Sequence, residues 1–175
     1  PPGKPDLDAV YLCSPANPTG AVYDRTQLAA WVHYARTNEL LLLFDAAYAP
    51  FVCDPALPRS IYEIPGAKHC AVEIGSFSKL AGFTGTRCGY AILPNELTMR
   101  GVSLQALWAR RQSARTNGVS YVVQCGAAAV YSPAGQRQTA KAVNFGLIFG
   151  MGAEGLKQYA GQSYGVEMTL EEAEQ

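Results

Sequence analysis

The chain has no surplus of charge of either sign: 14 Lys and Arg stand against 14 Asp and Glu in 175 residues. No long-range field selects nucleic acid or an anionic membrane surface, so neither is expected as a partner. Histidine is scarce, with two residues. The five cysteines (Cys13, Cys53, Cys70, Cys88 and Cys125) are odd in number, widely spaced and without a Cys-x-x-Cys pair. That set offers neither zinc-type ligand spacing nor a disulfide framework, so no metal is expected and the thiols read as reduced. Long apolar runs are missing too. The longest, residues 40–44 extended through Ala46 and Ala47, contains Asp45 and is far too short to cross a bilayer. The opening Pro1-Pro2-Gly3-Lys4-Pro5-Asp6 has no apolar secretion stretch and no initiator methionine, so it reads as an internal cut of a cytoplasmic protein.

What is present is apolar residues in quantity, 49% of the chain, enough to core one domain. Residues 9–13 (Ala-Val-Tyr-Leu-Cys) read as a short buried strand stopped by Ser14-Pro15 and the turn Asn17-Pro18-Thr19-Gly20. Asp24 is a fitting helix N-cap. Leu28, Trp31, Val32 and Ala35 then recur at the spacing of one buried helical face, and Asn38 closes the helix. Residues 40–44 form a continuous apolar run, the pattern of a strand covered on both faces, ending at Asp45-Ala46-Ala47-Tyr48. Residues 71–74 and 89–93 are further strands. Beyond Pro94 the pattern predicts helices over 97–111, 121–131 and about 135–157. Strands alternating with helices predict an α/β fold with a mostly parallel sheet, whose ligands gather beyond the strand carboxyl ends.

The chemistry concentrates in Ser76-Phe77-Ser78-Lys79 and in Ala81-Gly82-Phe83-Thr84-Gly85-Thr86-Arg87-Cys88-Gly89-Tyr90. Together these strings hold an amine that can condense with an aldehyde, two hydroxyls that can donate to phosphate and a planar guanidinium fork for the same anion. That is the equipment of a pyridoxal phosphate site. Each residue has a plainer alternative: Lys79 as a solvated lysine, Arg87 as a surface ion pair, Ser76 and Ser78 as backbone partners at a strand end. Asp45, at the end of an apolar strand, requires a cationic partner, which a protonated cofactor ring nitrogen supplies; otherwise it caps the next helix. Tyr48 and Asn17 can donate to a phenolate oxygen from two loops, although tyrosines also pack and asparagines before proline also make turns.

On these strings the chain resembles the class I/II aminotransferases of fold type I. It is most similar to the branch of that family acting on LL-diaminopimelate. Further strings carry the likeness: Cys13-Ser14-Pro15, Ser60-Ile61-Tyr62-Glu63-Ile64-Pro65-Gly66-Ala67, Trp108-Ala109-Arg110-Arg111-Gln112 and Asn117-Gly118-Val119-Ser120-Tyr121. The resemblance implies a three-layer α/β/α domain that binds pyridoxal 5'-phosphate. Lys79 is then the Schiff-base lysine and proton carrier, Asp45 the ring-nitrogen partner, Asn17 and Tyr48 the phenolate partners, and Ser76, Ser78 and Arg87 the phosphate ligands. It also places Asn17 near substrate, and Asn117 near cofactor and substrate, with a helix cap as the plainer reading of Asn117. The implied catalytic set is Lys79, Asp45 and Tyr48.

The implied reaction moves an amino group between LL-2,6-diaminopimelate and 2-oxoglutarate in lysine biosynthesis, in an enzyme that is homodimeric when complete. Its partners are amino acids and 2-oxo acids, and its placement is cytoplasmic, or plastid in a plant or alga. Residues 1–155 correspond to part of the cofactor-binding large domain. Residues 156–175 are the start of a C-terminal small domain or a divergent tail. Family members supply further substrate-clamping and dimer-crossing residues outside this segment, so the 175 residues alone are expected to be inactive. Two other readings stay open at this point: a related enzyme acting on aspartate, on aromatic amino acids or as a carbon-sulfur lyase, and a non-catalytic remnant.

Overall fold

A computed structural model of the protein describes residues 7–136. The chain divides into two compact units, Pro1–Ala127 and Ala128–Gln175. The expected boundary at residue 155 and nearly all of the helix expected over 135–157 lie outside the described residues.

The first unit is built on a four-stranded sheet in the order β1 (Ala9–Cys13), β2 (Leu41–Asp45), β3 (Ala71–Ser76), β4 (Gly89–Ile92). The first three strands are parallel; β4 runs antiparallel to β3. The sheet is thus mostly parallel, as expected. The crossover from β1 to β2 is helix α1 (Arg25–Thr37). It starts in a reciprocal capping box, in which Asp24 Oδ1 accepts from Gln27 N–H at 2.8 Å and Gln27 Oε1 accepts from Asp24 N–H at 3.0 Å. It ends at Asn38, whose side-chain amide donates to Tyr34 C=O at 2.9 Å. Leu28, Val32 and Ala35 are buried against Leu12, Leu42, Phe44 and Ala71 of the sheet, with Leu28 and Phe44 at 0% exposure.

The opposite face of β2 is less covered than its apolar run predicts. Leu41 and Leu43 are only partly buried and line a cavity of about 740 Å³ with Val72, Ile74, Leu107 and Trp108. The last two belong to helix α3 (Leu104–Arg115), none of whose residues is fully buried. Continuity of apolar residues reports that a strand avoids water, not how completely each face is roofed.

Between β2 and β3 the connection is a loop with three single 3₁₀ turns, Ala49–Phe51, Ile61–Glu63 and Ala67–His69. A buried carboxylate clamps it. Glu73 on β3 accepts from Ser60 Oγ at 2.6 Å and from Ile61 N–H at 3.0 Å. Burial pushes this carboxyl above the ordinary range despite those two bonds. Tyr62 adds a second tie, its hydroxyl donating to Ile92 C=O at 2.8 Å and accepting from Glu73 N–H at 3.2 Å.

The helix expected over 97–111 is corrected. Its first turns are instead a two-stranded ribbon, β5 (Thr98–Met99) and β6 (Val102–Ser103), reversed at Arg100 and Gly101 with φ of 51° and 76°. Two successive positive φ values suit the tight hairpin turn whose twist matches paired strands. Helix α3 begins after Ser103, whose Oγ accepts from Ala106 N–H at 3.2 Å, and runs beyond the expected end to Arg115. Helix α4 spans Tyr121–Ala129. The second unit contributes residues 128–136 to the described set. There Ser132 Oγ donates to Ala129 C=O at 2.7 Å and accepts from Gly135 N–H at 3.0 Å. Among the described residues no helix is long and apolar enough to cross a membrane.

Candidate active site

Parallel pairing brings the carboxyl ends of β1, β2 and β3 to one edge of the sheet, and the loops leaving that edge carry the residues of interest. The loop after β1 is tied to β2 through Ser14 N–H, which donates to Asp45 C=O at 3.1 Å. It closes on itself through Ala16 N–H to Ala21 C=O at 2.8 Å and Gly20 N–H to Ala16 C=O at 2.6 Å. Ser14, buried at its root, accepts from Tyr23 N–H at 3.2 Å. This turn presents Asn17, whose side-chain amide donates to the Tyr48 hydroxyl at 3.3 Å. The two residues expected to share one phenolate oxygen therefore meet from two loops.

Tyr48 stands in the turn leaving β2, just past Asp45. The Asp45 carboxylate is held at both oxygens: Oδ1 accepts from Ala47 N–H at 2.9 Å, and Oδ2 accepts from the hydroxyl of Tyr11. The bond to Ala47 is a local turn bond of the capping type. The Tyr11 bond was not anticipated from sequence. A strand pattern tells which residues share a face, but only the register (Cys13 opposite Asp45, Tyr11 opposite Leu43) brings a mid-strand phenol to that carboxylate.

The third contribution follows β3. Ser76 caps the single turn α2 (Phe77–Leu80), its Oγ accepting from Ser78 N–H at 3.1 Å. The backbone role foreseen for Ser76 is therefore filled, while its O–H can still be donated. Lys79 projects from this turn with Nζ 5.9 Å from the centroid of the Tyr48 ring. Amine, phenol and amide thus gather at one place. The loop then returns to β4, stapled by Phe77 N–H to Cys88 C=O at 3.0 Å and by Thr84 Oγ1 to Ser78 C=O at 3.2 Å. Arg87 sits in this loop with φ of 56°, a left-handed conformation unusual outside glycine. Its Nη1 donates to Thr84 C=O at 3.0 Å, which uses one N–H of the guanidinium fork.

Asn117 is a separate matter. It follows α3 with φ of 56°, and its backbone N–H donates to Gln112 C=O at 2.9 Å. That is the left-handed helix-cap geometry, the plainer of its two readings. That bond ties it to α3.

Chemically, the edge offers a carboxylate for a cationic ring nitrogen and an amide-phenol pair for a phenolate. It also has an amine for an aldehyde, with two hydroxyls and a guanidinium for a phosphate. This donor set fits pyridoxal phosphate group by group.

The model of the family described as Aminotransferase class I and II matches residues 1–147. Two LL-diaminopimelate aminotransferases of Prochlorococcus marinus are similar to the chain. The protein of strain MIT 9211 is 50% identical over 168 residues, covering 90% of this chain and 41% of that protein. That of strain MIT 9303 is 55% identical over 149 residues, covering 82% of this chain and 36% of that protein. Among solved structures, the L,L-diaminopimelate aminotransferase from Chlamydomonas reinhardtii superposes with a TM-score of 0.74 at 40% identity, covering 89% of this chain and 38% of that one. The chain thus spans about two fifths of the length of the curated relatives it matches. With its mostly parallel sheet and the family match over all the described residues, the chain belongs to the class I and II aminotransferases.

Proposed function

We propose that the protein carrying this chain is a pyridoxal 5'-phosphate-dependent transaminase moving an amino group between LL-2,6-diaminopimelate and 2-oxoglutarate, in lysine biosynthesis. The observation that carries the reading is the identity of 50% and 55% to two LL-diaminopimelate aminotransferases. The geometry supports its cofactor chemistry through the meeting of Asn17, Tyr48 and Lys79. Homodimeric assembly, cytoplasmic or plastid placement, and a cofactor or substrate role for Asn117 belong to the same proposal.

When bound, pyridoxal phosphate supplies an aldehyde for amine exchange and a protonated ring that accepts the electron pair left behind when the substrate α-proton departs. Lys79 would hold the aldehyde carbon until the substrate amine displaces it, and its freed Nζ would then take that proton and return it to the cofactor carbon. Asp45 would keep the ring nitrogen protonated, because an anion fixed beside it favours its cationic form. Asn17 and Tyr48 would orient the phenolate oxygen, and Arg87, Ser76 and Ser78 would retain the phosphate.

The test is an amine-donor panel with 2-oxoglutarate, run on the protein carrying this chain. LL-diaminopimelate is expected to give a higher kcat/KM than aspartate, tyrosine or alanine. A higher value for aspartate or an aromatic amino acid would move the assignment to another member of the family. A protein that takes up the cofactor but turns over no donor would be a non-catalytic remnant.

A further inference from the structure

Tyr11 has no part in the roles above, yet its hydroxyl donates to Asp45 Oδ2. It lies in the middle of β1, on the face opposite the packed core: Leu12 is buried against α1, while Tyr11 and Cys13 point the other way, beside Leu43 and Asp45 of β2. The phenol therefore reaches along the sheet toward the carboxyl edge. We infer that Tyr11 is a positioning residue for Asp45, donating to one carboxylate oxygen so that the group meets the cofactor's ring nitrogen as an oriented anion and the shared proton stays on the ring. The inference rests on the pyridoxal phosphate reading above.

Three observations support it. First, the two oxygens of Asp45 are held by bonds from different elements, Ala47 N–H from its own turn and the Tyr11 hydroxyl from the neighbouring strand. Either bond alone would leave the carboxylate free to rotate about its terminal torsion, which is broad and soft; the pair sets its plane. Second, each carboxylate oxygen has two lone-pair sites, so both bonds leave room for a third donor. Third, the phenol keeps its proton. Its own bond to Asp45 is the main reason, followed by burial and by the charges of Asp45 and Cys13, and together these push it up to about 12. Tyr11 is then a donor across the neutral and alkaline range and does not compete as a base. A donor that never yields its proton stabilises the ionised carboxylate more than the protonated one, and so biases the proton shared by carboxylate and ring toward the ring.

The experiment uses the holoprotein carrying this chain, loaded with pyridoxal phosphate labelled with ¹⁵N in the ring. It compares wild type, Tyr11→Phe and a protein with 3-fluorotyrosine at position 11. Loss of the hydroxyl should move the ring ¹⁵N resonance toward the unprotonated value and lower kcat about tenfold, with little change in the KM for 2-oxoglutarate. The fluorinated phenol, a stronger donor, should move the resonance the other way. A resonance unchanged in both variants overturns the inference while leaving the cofactor assignment standing. A wild-type protein that takes up no cofactor overturns both. The fluorinated variant differs by one atom, so it decides the matter even if Tyr11→Phe folds poorly.

Discussion

The roles proposed for Lys79, Asp45 and Arg87 are separable by experiment, because an amine, a ring partner and a phosphate anchor fail in different ways. Borohydride reduction of the cofactor-loaded protein should leave the pyridoxyl label on Lys79; a label found on Lys68 or Lys141 would displace the assigned site. Lys79→Ala should abolish turnover with the fold retained, since the side chain lies outside the packed core. Asp45→Asn should cut kcat far more than cofactor occupancy. Arg87→Ala should do the opposite, because losing a charge-assisted pair costs about 1.5 to 3 kcal/mol, or roughly one to two decades in affinity. Equal losses of occupancy, read from cofactor absorbance, would refute that division. Lys79 and Asp45 stood out as candidates in the sequence because ionisable groups at or just past the ends of apolar strands have few structural uses. Tyr11 was not, since the carboxylate across from a strand residue depends on register rather than on local composition.

At the scale of elements, α1 was readable from local signals: the cap, the closing asparagine and the buried Leu28, Val32 and Ala35 appear where the pattern puts them, while Trp31 is only partly buried. The ribbon at 98–103 was not, because Leu97 is buried like a helix residue and nothing in an arginine announces a positive φ. Nor could composition reveal that β4 runs antiparallel, since ladder direction is settled by the length and path of the loop joining it to β3. Two substitutions weigh the local terms. Asp24→Ala should cost about 1 kcal/mol through the lost cap, and Leu28→Ala roughly 2 to 5 kcal/mol through the cavity it opens; denaturant midpoints at constant slope would check both. Glu73 supplies a pH signature. Its folded-state carboxyl is raised by burial, so the folded protein binds this proton more tightly than the unfolded chain does. The stabilisation it contributes is complete below the unfolded carboxylate value and is lost as pH rises through the folded one. Glu73→Gln should flatten that part of the Tm-against-pH curve while keeping an acceptor for Ser60 and Ile61. A curve of unchanged slope would show that the clamp does not titrate in this window.

Within the first unit, and among the described residues, the two faces of the sheet differ. One is sealed by α1, and the other opens on the cavity lined by Leu41, Leu43, Val72, Ile74, Leu107 and Trp108. The 175-residue chain should therefore bind a hydrophobic reporter dye such as ANS when prepared by itself, and Leu43→Glu should reduce the signal without melting the α1 side. Dye fluorescence indifferent to that change would place the apolar surface elsewhere. Arg87 has a consequence at this scale as well. Holding a long, charged residue at φ 56° costs on the order of 1 kcal/mol that glycine would not incur, so under the proposed phosphate role the position sets folding against ligand capture. In a mutant library screened only for yield or heat resistance, glycine should rise at position 87 among the survivors. In a library screened for growth that depends on the enzyme, arginine should persist. The ratio of the two enrichments would measure, on the scale of selection, what the proposed phosphate anchor contributes to the cell.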